Sequence, residues 1–318
     1  MFWSLFLIIF GFILLIYGGN YVCSGASALA VRLGISQFII GMTIVAISTS
    51  APEFITSVIA VINGHREIVM GNVIGSNLVN IGLAGGLVAL IKPFTITSSV
   101  IKREAFLLLL VTLGFGLCSI LSSIGWIIGL LFIILNILYL YFVCKNDRGI
   151  NKDEEISQKM ALEIDLWGAL KIFLFGLFLL LLGAQLVVQY SVEVARALGW
   201  SDAFIGFTII AIGTSFPEIA TSLVAAFRGY GSICTGNIIG SNIFNTLMII
   251  GSCSIIHPLP IDDQLRHFAI PSLIGLTALV WHFFTEKRKI GPYEGFILLV
   301  VYLIILLKLI SKEINFSQ

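Results

Sequence analysis

Charge is what this chain has least of. Asp, Glu, Lys and Arg make up 11% of its 318 residues, where soluble domains carry about 25%. So few charges cannot cover a water-facing surface, and 58% of the residues are hydrophobic. With a mean hydropathy of +1.06, a soluble globular domain is excluded and an integral membrane protein is predicted. A surplus of one sign is missing too. A net charge of +1 leaves no electrostatic footprint for a nucleic-acid partner. Cysteines are few and scattered (Cys23, Cys118, Cys144, Cys234 and Cys253), with neither CxxC nor metal-ligand spacing. They are expected as buried apolar residues with no disulfide framework. HExxH and GxSxG do not occur, and His65, His257, His267 and His282 all lie at or near the ends of apolar stretches. An intramembrane hydrolase built on Ser50 or Ser215 with a nearby Glu would have no histidine general base at depth, so neither enzyme activity nor a cofactor is expected.

What the chain does have is long apolar runs. Ten windows of about 20 apolar residues can be drawn. They lie near 2–18, 37–62, 68–91, 104–120, 124–144, 166–190, 203–227, 231–256, 268–284 and 293–310. The first, "MFWSLFLIIFGFILLIYGG", lacks a positive start and exceeds a signal-peptide core, so it reads as a retained span. The clearly hydrophilic connection is 145–165. The expected fold is an all-α polytopic membrane protein of ten helices, divided into 1–144, a linker 145–165 and 166–318. If that linker is cytoplasmic, thirteen Lys and Arg fall inside and five outside. This positive-inside bias places both termini outside the plasma membrane.

The two halves repeat each other. "GMTIVAISTSAPEFITS" (41–57) aligns without gaps on "GFTIIAIGTSFPEIATS" (206–222), eleven of seventeen positions identical. "GNVIGSNLVN" (71–80) aligns on "GNIIGSNIFN" (236–245), seven of ten identical. Both pairs share an offset of 165, as do Gly18 with Gly183 and Gly34 with Gly199. Five spans per copy is an odd number, so the second copy must enter the membrane upside down. That is the inverted repeat of secondary transporters, whose sites lie near the midplane.

Two acidic residues, Glu53 and Glu218, lie deep within predicted spans, and they are repeat equivalents. Each costs about 2.5–3.5 kcal/mol at the bilayer centre on insertion scales. No Lys or Arg occupies the middle of any predicted span, which leaves protons or metal cations to compensate. The neighbouring residues favour cations. Pro52 has no N–H, so it frees the Ser48 carbonyl and pushes the preceding turn out of regular geometry, and Pro217 does the same near Gly213 and Thr214. Freed carbonyls beside a carboxylate are hard oxygen ligands of the kind Ca2+ and Na+ take. Asn72, Ser76 and Asn80 share one helix face at i, i+4 and i+8, as do Asn237, Ser241 and Asn245. Gly71, Gly75, Gly236 and Gly240 would let helices approach closely.

These stretches resemble the two α-repeats of the sodium/calcium exchanger family, within the cation/calcium antiporter superfamily. Its G-T-S-x-P-E core is matched by "STSAPE" (48–53) and "GTSFPE" (213–218), and its G-N-x-x-G-S-N stretch by "GNVIGSN" and "GNIIGSN". The resemblance implies an antiporter that extrudes Ca2+ as Na+ enters, by alternating access at a midplane site. Ca2+ would be held by the carboxylates of Glu53 and Glu218 and the carbonyls of Thr49 and Thr214. Na+ would use these with Ser50, Ser76, Ser215, Ser241 and the carbonyls of Ala46 and Ala211, while Asn80 and Asn245 would line the middle site. The first and sixth spans would slide across this core. Ser48 stands where the family usually has glycine, and Asn245 where potassium-dependent relatives carry aspartate, so K+ would not be co-transported. The short linker is similar to that of the prokaryotic form. Beyond the bilayer and the two ions, no obligate protein partner is evident. A calcium/proton antiporter of the same fold is the alternative, and a passive channel is disfavoured by the doubled charged site.

Overall fold

The computed structural model describes residues 2–95, 99–145, 164–200, 209, 211–286 and 289–316. Most of the 145–165 linker, and residues 203–208 and 210 of the seventh window, lie outside the described residues. The helices are α1 (Phe2–Leu33), α2 (Gln37–Thr49), α3 (Ala51–Ile62), α4 (Arg66–Ile91), α5 (Ser99–Cys118) and α6 (Trp126–Lys145). Then come α7 (Leu166–Ala197), α8 (Ala211–Gly213), α9 (Phe216–Phe227), α10 (Gly231–Ile256), α11 (Leu265–Glu286) and α12 (Pro292–Phe316). Among the described residues seven helices are long and apolar enough to cross a membrane, and α2 with α3 makes an eighth span bent by 42°. α5 carries Lys102, Arg103 and Glu104, and α9 is the short remainder of a span whose start is not described. The fold is therefore helical and polytopic.

The chain divides into two compact units, and neither is a sequence half. One is formed by Met1–Ser50 with Leu140–Gly240, the other by Ala51–Tyr139 with Ser241–Gln318.

The first unit is organised by α1 and α7, each 32 residues long. At 1.5 Å per residue each spans about 48 Å, so it must tilt or project beyond a hydrocarbon core of about 30 Å. This is why the first and sixth windows fall short: the Gly- and Ala-rich end of α1 (Gly18–Leu33) is as helical as its apolar start. Glycines set their contact. A Cβ on Gly11 would lie 2.9 Å from the Gly183 carbonyl oxygen, and one on Gly18 would lie 2.9 Å from that of Gly176. Positions 11 and 183, then 18 and 176, can meet in that order only if the helices are antiparallel. α2 packs on the start of α10 in the same way, since Gly236 and Gly240 lie against the backbone of Phe38 and Met42.

In the second unit α5 and α11 are antiparallel as well. The Lys102 ammonium donates to the Thr285 carbonyl (2.9 Å) at one end, and Gly116 meets Ile274 at the other. Two short antiparallel ladders join the copies. Strand β1 (Phe94–Thr95) pairs with β4 (Lys289–Ile290), and β2 (Ser123–Ile124) with β3 (Leu259–Pro260). Gly86 packs on Gly295, and Gly129 on Gly251.

The repeat is visible in the backbone. Gly34 and Gly199 have φ of 68° and 82°, and Gly64 and Gly229 have 86° and 82°. All four end helices in the left-handed conformation that glycine adopts without penalty, and each pair is separated by 165 residues. Cys23, Cys234 and Cys253 are buried with free thiols, but Cys118 is only half-buried and Cys144, in the last turn of α6, is exposed. The four histidines are all exposed, at helix ends or in the end turns.

Candidate functional site

Both T-S-x-P-E stretches break their helix at the serine before the proline. α2 stops at Thr49, Ser50 has φ −82° and ψ 5°, and α3 begins at Ala51. Ser215 matches it at −88° and 7°, with Pro217 in the first turn of α9. The break therefore falls two residues beyond Ser48, where a proline in the first helical turn costs no hydrogen bond. Each break leaves its glutamate in the first turn of a fresh helix, where the dipole favours negative charge.

In the first unit Glu218 is 2% exposed. Its Oε1 accepts from the Ser50 hydroxyl at 2.8 Å, and its Oε2 has no hydrogen-bond partner. Asn237, on α10, donates to the Glu218 carbonyl (3.4 Å) and to the Ser222 hydroxyl (3.0 Å). The Asn237 side-chain oxygen faces the Thr49 hydroxyl at 3.2 Å, a group that also reaches the Ala46 carbonyl at 3.3 Å. The Ala46 carbonyl accepts from the Ser50 N–H too. Ser215 is buried, the Thr214 hydroxyl is enclosed without a partner, and Ala211 opens the short helix before the break.

The second unit repeats this. Glu53 is fully buried, and the Ser76 hydroxyl lies 3.5 Å from its Oε1. Asn72 donates to the Glu53 carbonyl (3.2 Å) and to the Ser57 hydroxyl (2.9 Å). These are the bonds of Asn237, 165 residues earlier. Asn72 and Asn237 thus hold the backbone of the glutamate helix with their amide nitrogens.

Asn80 and Asn245 sit in π-helical turns, Val79–Ala84 and Asn245–Ile249. Such turns concentrate at functional sites because they swing a side chain out of the α register. Asn80 is buried with neither amide atom paired, and so are Ser241 Oγ and Asn245 Oδ1. Asn77 was not singled out from the sequence, yet it links the copies. Its amide nitrogen donates to the Thr246 hydroxyl (2.9 Å) and the Asn242 carbonyl (3.4 Å), and its oxygen accepts from Asn245 at 3.2 Å. At i+5 from Asn72 it falls off the helical face of Asn72, Ser76 and Asn80. Its one sequence signal was identity with Asn242 in the second copy.

A family model described as sodium/calcium exchanger protein matches the chain twice, over residues 3–145 and 168–310. The chain belongs to the sodium/calcium exchanger family. Sodium/calcium exchanger MaX1 of Methanosarcina acetivorans is 30% identical over 340 residues, covering 95% of this chain and 97% of that protein. Ca(2+)/H(+) antiporter ChaA of Bacillus subtilis is 26% identical over 290 residues, covering 80% and 78%. A solved structure of the sodium-calcium exchanger NCX_Mj, soaked with Na+ and Ca2+, superimposes with a TM-score of 0.82 at 34% identity, covering 95% of this chain and 96% of that chain.

Family members of this kind are antiporters, and the buried oxygens suit a cation as cargo. A buried polar atom left unpaired costs about 1–3 kcal/mol. Among the described residues Glu218 Oε2, Asn245 Oδ1, Ser241 Oγ and Thr214 Oγ1 are such oxygens, and Asn80 leaves both its amide oxygen and its amide nitrogen unpaired. Among the described residues no three His, Cys, Asp or Glu gather as a metal cluster. Two further acids are buried, Glu104 and Glu294, although the sequence placed only Glu53 and Glu218 at depth. They lie near helix starts and are answered by the protein itself. Arg103 reaches Glu104 Oε1 at 2.6 Å, and the Gly291 N–H donates to Glu294 at 3.0 Å.

Proposed function

We propose that this chain is a Na+/Ca2+ antiporter that extrudes Ca2+ through alternating access, driven by Na+ entry. The observation that carries the reading is the environment of Glu218. Among the described residues its hydrogen-bonding neighbours are the Ser50 and Thr49 hydroxyls and its own backbone, with no Lys or Arg among them, whereas the protein gives Glu104 an arginine. A carboxylate kept buried with hydroxyl, amide and carbonyl oxygens around it is held for a cation. Ca2+ would be ligated by Glu53 and Glu218 with the carbonyls of Thr49 and Thr214. Na+ would use these with Ser50, Ser76, Ser215, Ser241 and the carbonyls of Ala46 and Ala211, and Asn80 and Asn245 would line the middle site. Overlapping ligands make the two loads exclude each other, which couples the exchange.

The ten spans form two inverted copies, 1–144 and 166–318, joined by a cytoplasmic linker at 145–165, with both termini outside the plasma membrane. The antiparallel contacts of α1 with α7 and α5 with α11, and the doubled family match, support this arrangement. Sodium-gradient-driven uptake of radiolabelled Ca2+ into proteoliposomes tests the function. Wild type is expected to accumulate Ca2+, and Glu53→Gln and Glu218→Gln to lose it. Retained uptake in both variants would overturn the assignment.

A second reading is Ca2+/H+ antiport, favoured by the similarity to ChaA. Protons need no shell of hydroxyl and amide oxygens, which argues for Na+. Uptake that follows an imposed pH gradient and ignores Na+ would decide for protons.

A further inference from the structure

A groove of about 480 Å³ runs between α1 and α9 in the first unit. Small residues open it and aromatic ones wall it. Gly19 brings the helices together, since a Cβ there would lie 3.0 Å from Val224, and Leu15 and Val224 form the buried floor. Ala220 leaves the space above that floor empty of side chain. One end is closed by Phe12 and Phe216, edge to face at 6.0 Å. At the other end stand Asn20 and Arg228. Arg228 is exposed and uses one guanidinium nitrogen on the Ser24 hydroxyl at 2.7 Å. A guanidinium has five N–H donors in all, arranged as a fork that fits phosphate.

We propose that this groove binds one acyl chain of an anionic phospholipid, with its phosphate at Arg228. Dimensions select the occupant. From Phe216 to Phe227 the groove runs about 16 Å at 1.5 Å per residue, close to one leaflet, half of a hydrocarbon core of about 30 Å. A slot of that length walled by aliphatic and aromatic side chains suits a single hydrocarbon chain lying along it. Charge selects the headgroup, because basic pockets between membrane helices hold anionic lipid. The groove-lining residues Ile219 and Ala220 directly follow Glu218 on α9. A bound chain therefore presses on the helix that carries this carboxylate. The binding itself does not depend on which cation is exchanged.

The test is native mass spectrometry of the full chain extracted from vesicles of equal parts phosphatidylglycerol and phosphatidylcholine. Wild type is expected to retain phosphatidylglycerol about fivefold over phosphatidylcholine, the preference one arginine supplies. Arg228→Gln is expected to retain both alike, and Arg228→Lys to keep most of the preference. Ala220→Phe, which fills the groove, is expected to lose the bound lipid. A wild type without headgroup preference, or an Arg228→Gln variant that keeps it, overturns the proposal. So does a wild-type dimer that Ala220→Phe splits, since the groove would then be a seam between copies.

Discussion

The Ser50 hydroxyl donates to the Glu218 carboxylate at 2.8 Å, so the helix break of the first repeat serves the charge of the second. Ser50 belongs to the proposed Na+ ligands and not to the Ca2+ ligands. Ser50→Ala is therefore expected to weaken apparent Na+ affinity about tenfold, the worth of a hydrogen bond to a charged group, and Ca2+ affinity less. Competition between labelled Na+ and Ca2+ in proteoliposomes measures both. Equal losses would place Ser50 in the Ca2+ shell.

Asn72 and Asn237 make the same two bonds in their own copies, and Asn237 also meets the Thr49 hydroxyl. Removing either amide strands a buried hydroxyl and a carbonyl, so each alanine variant should lose about 1–3 kcal/mol of stability. Thermal unfolding in detergent should show both midpoints lowered, that of Asn237→Ala further.

Asn77 and Asn80 separate structure from transport. Asn77 bonds Thr246, Asn242 and Asn245, whereas the Asn80 amide has no partner among the described residues. Asn77→Ala is expected to lower the unfolding midpoint by several degrees. Asn80→Ala is expected to leave it unchanged or raised while reducing Ca2+ flux. A stable and fully active Asn80→Ala would remove Asn80 from the ion path.

A methyl group at Gly236 would collide with the Phe38 carbonyl, while Gly114, in the middle of α5, is exposed with nothing nearby. Gly236→Ala should therefore destabilise and impair transport. Gly114→Ala should stabilise by up to about 1 kcal/mol through helix propensity alone. Unfolding midpoints compared in one detergent check the contrast.

If Glu53 and Glu218 hold the cation as proposed, protons compete for them. Sodium-driven Ca2+ uptake is expected to fall as pH is lowered from about 7 to about 5, toward the range where carboxylates titrate, because a protonated carboxyl no longer balances Ca2+. Replacing K+ with an inert cation at constant pH should change nothing, since Asn245 adds no charge.

The helical, polytopic character of the chain and the burial of Glu53 and Glu218 were legible because membrane spans and duplications leave strong patterns. A carboxylate beside proline in an apolar run has few explanations, and finding Glu53 and Glu218 at one offset removed most of them. What the sequence did not show was register and reach. Asn80 and Asn245 enter π-helical turns, and a wider turn leaves no mark in a spacing rule built on 3.6 residues. Asn72 shared the helical face of Ser76, yet its amide turns back to the Glu53 backbone. Glu104 stood at the edge of the predicted window 104–120 and was not singled out, because its burial depends on how the packed helices close over it.

The two small ladders bear on what holds this molecule together. β1 with β4 and β2 with β3 each join a strand from before the linker to one from after it. Gly11 against Gly183 and Gly86 against Gly295 likewise press backbone from one half onto backbone from the other. Such contacts do not require peptide continuity between 145 and 165. Co-expressed as two polypeptides severed there, the halves would still have a full set of mutual surfaces, as the subunits of a heterodimer do.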